Sequence, residues 1–392
     1  MKGLNTFRIA LAALFSFGIG HGFAADAPGR LQIERRIEHD PSKAMPISIT
    51  GFPPQIARVL AFDLEVAGCR IVPQDQAIYQ VSGKFSGRLE GYLALGNEYP
   101  VAKAYQGADP RRLAHAFADD IAMAINKVPG VARTRFLFKN RTRGQGEIYV
   151  ADYDGNGVMP LTRDGSIVAA PAWGVNNTRI YYTSYRRQNP DVYAQEYASG
   201  KRYVVARYPG SNLTPVPSPD GTKLAMVLSK SGSPNLYVSD INGGNLRQIT
   251  KIRAGVSTPT WSPDSRWICY TSREAGPARL FKIRADGYGK ERISTVGAYN
   301  CTEPDWSPDG KYIAFTTQRG GFTLCIVPAA GGRVEQLVSG EDPSWAPNSR
   351  TLMFVKRRGD QSYYLSLLDV PTKQVKDVPL SLGNASQPAW AR

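Results

Sequence analysis

Thr302-Glu303-Pro304-Asp305-Trp306-Ser307-Pro308-Asp309-Gly310 is the stretch whose reading decides the fold. It couples a Pro-x-Trp segment to a Ser-Pro-Asp-Gly turn, and the same coupling returns along the last two-thirds of a 392-residue chain. The Pro-x-Trp (once Pro-x-Pro) copies are Pro171-Ala172-Trp173, Pro215-Val216-Pro217, Pro259-Thr260-Trp261, Pro304-Asp305-Trp306, Pro343-Ser344-Trp345 and Pro388-Ala389-Trp390. Their third positions are 173, 217, 261, 306, 345 and 390, so the steps are 39 to 45 residues. A period of that size with strand-like content between copies means propeller blades. Turns follow the middle four copies, from Ser218-Pro219-Asp220-Gly221 to Ala346-Pro347-Asn348-Ser349. Proline presets the turn dihedral, and Asp or Asn bonds its own backbone there.

Each repeat reads as four strands. Runs such as Arg266–Ser272, Lys311–Thr317, Asn235–Asp240 and Leu246–Thr250 are rich in Val, Ile, Tyr and Phe and bounded by Gly, Asp and Asn, which is the strand signature. The Pro-x-Trp segment supplies the innermost strand. Three runs, Arg135–Lys139, Glu147–Asp152 and Met159–Thr162, precede the first Pro-x-Trp and lack an inner strand, while the last Pro-x-Trp is followed only by Ala391 and Arg392. The simplest solution puts that last strand into the first blade, which leaves no open blade edge. The expected fold is an all-β six-bladed propeller of four-stranded blades over 134–392, closed by the C-terminal strand and preceded by a small α+β domain.

The chain opens like a secretory signal over 1–24. Lys2 and Arg8 precede the apolar run Ile9–Gly20, and Gly22-Phe23-Ala24 places small residues for cleavage before Ala25. The run is too short to span a bilayer, so the mature chain is expected to be exported, periplasmic, monomeric and without a transmembrane segment. Net charge is +15 and falls by two to +13 once Lys2 and Arg8 leave. Such a surface attracts acidic partners, but an exported chain without a Lys/Arg-rich run is not expected to bind nucleic acid. Cys69, Cys269, Cys301 and Cys325 show no CxxC spacing. One pair could bridge in an oxidising compartment, and sequence does not give connectivity. Cys269 and Cys325 lie in apolar strand patterns and read as buried thiols.

Residues 25–133 lack the repeat. Pro46–Thr50 reads as a strand, Gln55–Val66 as a helix with Ile56, Val59, Leu60 and Leu64 on one face, and Arg70–Val72 as a short strand. Gln80–Leu95 and Tyr99–Ala104 read as further strands. Asp109 caps a helix that starts at Pro110, carries Leu113, Phe117, Ile121, Ile125 and Val128 on its stripe, and runs to about Lys127, where Pro129-Gly130 stops it. Residues 25–45 show no period and form an arm able to add a strand to a partner's sheet.

The inventory restricts chemistry. The three histidines are His21, His39 and His115, so the propeller has none. That excludes a Ser-His-Asp site and a His-ligated metal within it, and no cofactor is expected. Carboxylate catalysis, as in enzymes acting on cell-wall or extracellular polysaccharide, is compatible with the channel acids Glu303, Glu341 and Asp342. Asp264 and Asp309 read as turn residues. Asp152-Tyr153-Asp154-Gly155-Asn156-Gly157 starts like a calcium loop, but its twelfth position is Arg163 where a Glu is needed, so a hairpin turn is expected. His115 flanks the apolar stripe of its helix and reads as a packed or capping residue.

The residues just before each Pro-x-Trp are expected to ring the channel mouth: Ala169-Ala170, Leu213-Thr214, Ser257-Thr258, Thr302-Glu303, Glu341-Asp342 and Ser386-Gln387. One side is acidic and the rest small or hydroxylated, which suits an inserted loop or strand; the alternative is that they only shape inter-blade turns.

These features resemble the TolB family, the periplasmic propeller proteins of the Tol–Pal cell-envelope system. The resemblance rests on Asp63-Leu64-Glu65, on Arg111-Arg112-Leu113-Ala114-His115 with Ala118-Asp119-Asp120-Ile121, on Asp152-Tyr153-Asp154-Gly155, on Leu228-Ser229-Lys230-Ser231-Gly232, and on Thr302-Glu303-Pro304 with Trp306-Ser307-Pro308-Asp309-Gly310. It implies a non-enzymatic scaffold that binds the peptidoglycan-associated lipoprotein Pal at the channel mouth and the inner-membrane protein TolA through the mature N-terminus, maintaining outer-membrane integrity and supporting division. Ser257, Thr258, Thr302, Glu303, Glu341, Asp342, Ser386 and Gln387 are then the candidate Pal contacts, Thr302 and Glu303 foremost. The candidate TolA contacts are Ala25, Asp26, Arg30, Gln32 and Arg35 in the arm.

Overall fold

The computed structural model describes residues 40–142, 144–359 and 362–392. The signal-like segment and the arm contacts Ala25, Asp26, Arg30, Gln32 and Arg35 lie outside the described residues. No helix among the described residues is long and apolar enough to cross a membrane.

The first region is a five-stranded sheet with two helices on one face. Its elements are β1 (Met45–Thr50), α1 (Pro54–Val66), β2 (Cys69–Ile71), β3 (Tyr79–Phe85), β4 (Leu89–Leu95), β5 (Glu98–Tyr105) and α2 (Pro110–Asn126). The sheet order is β2-β1-β3-β4-β5, with β1 parallel to β2 and β3. The expected single strand over 80–95 is a hairpin, because Ser86–Arg88 turns between Phe85 and Leu89. Ile56, Leu60 and Leu64 of α1 and Leu113, Phe117 and Ile121 of α2 are buried against Ile47, Val81 and Leu93 of the sheet. A fully buried Phe or Leu of this kind contributes about 1.5–3 kcal/mol. The Asp109 carboxylate accepts from Arg111 N at 3.0 Å and caps α2. That helix ends at the expected Lys127, which takes the left-handed conformation (φ 59°) and donates to Met123 O.

Six four-stranded sheets follow. We number the blades from the one that holds the chain's last strand. Blade I contains Arg135–Thr142, Gln145–Asp152 and Met159–Pro160 with Ala385–Trp390 as its inner strand, paired Ser386 to Lys139 and Trp390 to Phe136. The inner strands of blades II to VI are Val168–Trp173, Asn212–Pro217, Val256–Trp261, Cys301–Trp306 and Glu341–Trp345. Each therefore begins before the Pro-x-Trp segment, which forms its second half rather than its start. The Ser-Pro-Asp turns are structural: Ser307 Oγ donates to Asp309 Oδ1 (2.7 Å), which also accepts from Lys311 N (3.1 Å), and Asp264 repeats the pattern with Ser262 (2.5 Å) and Arg266 N (3.1 Å). Neighbouring blades are tied at the tryptophans. Trp306 N donates to Thr260 Oγ1 (3.2 Å), Trp345 N to Asp305 Oδ2 (2.7 Å) and Trp390 N to Ser344 Oγ (3.0 Å).

The α/β region packs on blades I and VI. Asn348 of the blade VI turn donates to Pro129 O (3.3 Å), Gln374 donates to Cys69 O (3.0 Å), and Lys376 pairs with Glu65. Gly68 (φ 83°) allows this approach: a Cβ there would stand 2.6 Å from Asp369 Oδ2. The four cysteines are buried free thiols, which settles the pairing left open above.

Candidate functional site

Each inner strand carries the same irregularity. Its pairing with the second strand slips at the residue before proline, in all six blades. That residue has positive φ every time: Ala170 (50°), Thr214 (45°), Thr258 (46°), Glu303 (55°), Asp342 (53°) and Gln387 (50°). None is glycine, and the position before proline resists helical conformations of the backbone. Each such residue costs of the order of 1–3 kcal/mol and persists because its surroundings enforce it. The six converge on one cavity of about 180 Å³ at the end of the channel.

This sorts the expected mouth residues. Thr258, Glu303, Asp342 and Gln387 line the cavity, together with Ala170 and Thr214. Ser257, Thr302, Glu341 and Ser386 do not. Successive strand residues face opposite ways, so the residue one step earlier turns from the axis. Glu341 shows where it goes: it is buried and held by Arg357 through two bonds of 2.6 and 2.7 Å, beside a separate groove between Phe322 and Tyr364.

Side chains relay around the mouth from blade to blade. Thr316 Oγ1 donates to Glu303 Oε2 (2.7 Å), which also accepts from Asp342 N (3.1 Å). The Asp342 carboxylate is supported by the backbone N–H of Gln387, whose Oε1 accepts from Ala170 N (3.0 Å). Burial raises the Glu303 carboxyl; the Thr316 and Asp342 donors oppose the shift and the Glu341 charge adds to it. Asp342 is pushed well above the usual range by burial and by the charges of Glu303 and Glu341. Lys139, paired across from Ser386, is lowered by burial and by Arg141. Thr214 Oγ1 is buried without a partner among the described residues.

Beyond the proline ring the channel widens to about 500 Å³, bounded by Trp173, Trp261 and Trp390. Its wall is two-sided. Blades IV to VI contribute Thr260, Asp305 and Ser344, and blades I to III contribute Ala389, Ala172 and Val216. Arg392 crosses this end, pairing with Asp305 and donating to Trp345 O and Trp306 O at 3.3 Å each.

A second cluster lies where the α/β region meets blade I, and sequence reasoning missed it. His115 Nδ1 is 2.7 Å from Asp63 Oδ2, and its Nε2 is 3.5 Å from Asp154 Oδ2, an ion-pair rather than a hydrogen-bond distance. Tyr153 OH donates to Asp63. Arg111 forks onto Asp152 (3.0 Å) and Asp154 (2.5 Å), and Arg135 reaches Asp152 (3.1 Å). Burial lifts Asp63 to about 6 against the opposing effect of His115 and Tyr153. Burial alone would lower His115, but the close contacts and charges of Asp154 and Asp63 outweigh it and hold the imidazole at about 9. Asp154 lies well below the usual range, because His115 and Arg111 overcome its burial. The expected hairpin turn at 152–156 is present, with Gly155 N donating to Asp152 O at 2.8 Å, and it presents these carboxylates to α2.

The family described as the TolB beta propeller domain matches residues 124–392. The Tol-Pal system protein TolB of Geobacter sulfurreducens is 33% identical over 160 residues, covering 38% of this chain and 37% of that protein. The protein of the same name from Anaeromyxobacter dehalogenans is 39% identical over 93 residues, covering 22% of this chain and 21% of the relative. The chain thus spans little more than a third, at most, of these curated relatives. The crystal structure of TolB from Acinetobacter baumannii superposes with a TM-score of 0.82 over 90% of this chain and 98% of that one, at 20% identity.

Proposed function

The chain belongs to the TolB β-propeller family, and on that premise we propose that it is a non-enzymatic periplasmic scaffold of a Tol–Pal system. It binds a Pal-type peptidoglycan-associated lipoprotein at the channel mouth and a TolA-type inner-membrane protein through its N-terminal arm, in the service of outer-membrane integrity and division. It acts as a monomer. The domain limits that go with this reading are a signal peptide over 1–24, an α+β domain over 25–133 and the propeller over 134–392. The observation that carries the proposal is the mouth itself. Six strained backbone positions aim Ala170, Thr214, Thr258, Glu303, Asp342 and Gln387 into one cavity, and strain of this kind gathers at ligand clamps. A loop of the partner enters there, setting donors against Glu303 and Asp342 and apolar atoms against Ala170.

Calorimetric titration of the mature protein with the Pal periplasmic domain of the same organism tests this. Glu303→Lys is expected to weaken binding by about tenfold or more, about 1.4 kcal/mol. No binding by the wild-type protein would refute the Pal assignment. One observation favours a second reading. Glu303 and Asp342 are adjacent carboxyls that burial lifts above the usual range, as a general acid requires. The enzyme would act on a cell-wall or extracellular polysaccharide. Turnover of peptidoglycan fragments that Glu303→Gln abolishes would establish it over the scaffold.

A further inference from the structure

Paired cations occur on both faces of the propeller. On the face away from the mouth Lys223 meets Asp240 (2.9 Å), Arg284 meets Asp286 (2.5 Å), Lys311 meets Asp309 (3.4 Å) and Arg350 meets Asp369 (2.5 Å), and on the mouth face Arg357 meets Glu341 (2.6 Å) and Lys356 meets Asp377 (3.0 Å). The second strand of each blade runs back to the mouth face and turns there into the third. Every one of these six turns carries or adjoins an exposed cation: Arg141 in blade I, Arg187 in II, Lys230 in III, Arg273 in IV, Arg319 in V and Arg358 in VI, while the acid Glu274 of the blade IV turn is taken up by Lys290 (2.6 Å). Among the described residues, Arg187, Lys230, Arg273 and Arg319 form no ion pair. Lys230 lies over the Tyr208 ring at 4.2 Å and Arg358 over Tyr364 at 4.8 Å, which fixes direction without neutralising charge. Closer to the axis the sign reverses, at Glu303 and Asp342. The face is therefore concentric, with an acidic centre inside a basic rim.

We propose that this face is a two-zone docking surface for an acidic folded protein domain, whose protruding loop brings a cation or hydrogen-bond donor to Glu303 and Asp342 while its acidic collar meets the rim. The proposal rests on the reading of the mouth as a partner site and specifies the partner's chemistry. Charge complementarity selects a protein over a polyanion. A lipid surface or nucleic acid is negative throughout and would press phosphates onto the two central carboxylates, and a flat surface cannot fill a concave mouth of about 180 Å³. The zones also act at different stages. Exposed rim charges steer the encounter and set the association rate. The half-buried centre sets how long the complex lasts, because a broken buried contact leaves a charge unpaired.

Association and dissociation rates with the cognate Pal periplasmic domain separate these stages. The variant Arg187→Glu, Lys230→Glu, Arg273→Glu, Arg319→Glu is expected to slow association by about tenfold or more at low salt with little change in dissociation. The effect fades near 0.5 M salt, where the Debye length is only a few ångströms. Glu303→Gln is expected to do the converse, speeding dissociation at unchanged association. The glutamine counterpart of the fourfold variant gives the same readout if the reversed charges impair folding, which its melting temperature shows. Unchanged association in the fourfold variant, with Pal still bound, overturns the rim and leaves the mouth reading intact. Absence of wild-type binding overturns the mouth reading and this inference with it. Vesicles of phosphatidylglycerol that bind the wild type and lose the fourfold variant, while Pal is indifferent, would assign the rim to a lipid surface instead.

Discussion

Acidic side chains are taken out of water in two places, and the two places treat them differently. At the joint between the α/β region and blade I, Asp63, Asp152 and Asp154 are enclosed by His115, Arg111 and Arg135 and by the Tyr153 hydroxyl. At the mouth, Glu303 and Asp342 receive a hydroxyl and backbone N–H groups; Arg357, whose charge acts on Glu303, is bonded to Glu341, and Lys139 acts on Asp342 only through its charge. The charges of Arg357 and Lys139 fall short of the cost of burial, so both mouth carboxyls stay undercompensated and their proton affinity rises; at the joint Asp63 is raised too, but His115 and Tyr153 oppose it and it stops at about 6. The joint is complete in itself.

The largest effect should come from breaking the compensated side. Removing one partner of a buried pair strands the other charge and costs about 3–5 kcal/mol. Asp63→Asn, which leaves His115 facing Asp154 alone, is expected to lower unfolding stability by that amount in denaturant titrations. A loss below about 1 kcal/mol would reduce the joint to an incidental contact.

The joint should also respond to pH in a definite direction. His115 is held up at about 9 from an ordinary 6.5, so the folded state binds that proton more tightly. Its contribution is fully present below about pH 6.5 and is lost as pH rises through about 9. Asp63, lifted from 3.8 to about 6, acts in the same direction lower on the scale. Asp154, held below the usual range, acts oppositely and loses its contribution as pH falls. The melting temperature of the wild type is therefore expected to decline between about pH 6.5 and about pH 9, and His115→Gln should flatten the decline. An equal decline in both proteins would place the alkaline sensitivity elsewhere.

The smallest effect belongs to the uncompensated side, and its sign is the informative part. Asp342→Asn removes a carboxylate that the fold disfavours when ionised. At pH 8 the variant is expected to be as stable as the wild type or up to about 1 kcal/mol more stable. Destabilisation beyond about 2 kcal/mol would mean that the relay from Asp342 to Gln387 holds the blades together rather than preparing a site.

These two regions were unequally legible in the sequence. The propeller announced itself because each blade repeats its turn and inner strand, so position within a repeat predicted position on the channel. That argument located Glu303 and Asp342 but also admitted Thr302 and Glu341, since a repeat does not say which way a strand residue faces at a slipped register. The joint left no comparable trace. Asp63, His115 and Asp154 lie on a helix, another helix and a hairpin turn, far apart in sequence, and each has an ordinary reading in isolation. The shared signal was present in the family-like motifs around Asp63, His115 and Asp154, which resemblance grouped before geometry explained why they belong together. The extent of α2 was legible: the helix stops at the expected Lys127, which adopts the left-handed conformation usually left to glycine.

Ring closure has a bearing on when the mouth exists at all. The strand Ala385–Trp390 brings Gln387 to the mouth and sets Trp390 Nε1 on Thr134 Oγ1 at 2.7 Å, between residues 256 positions apart. Contacts of such sequence separation form late, since the intervening chain must be ordered before they repay its entropy. Until they form, the relay through Asp342 and Gln387 to Ala170 is interrupted, and one of six positions around the axis is vacant. A chain caught midway in folding thus offers a gapped mouth. A partner that reads the whole circle, as proposed above, would sample finished molecules alone.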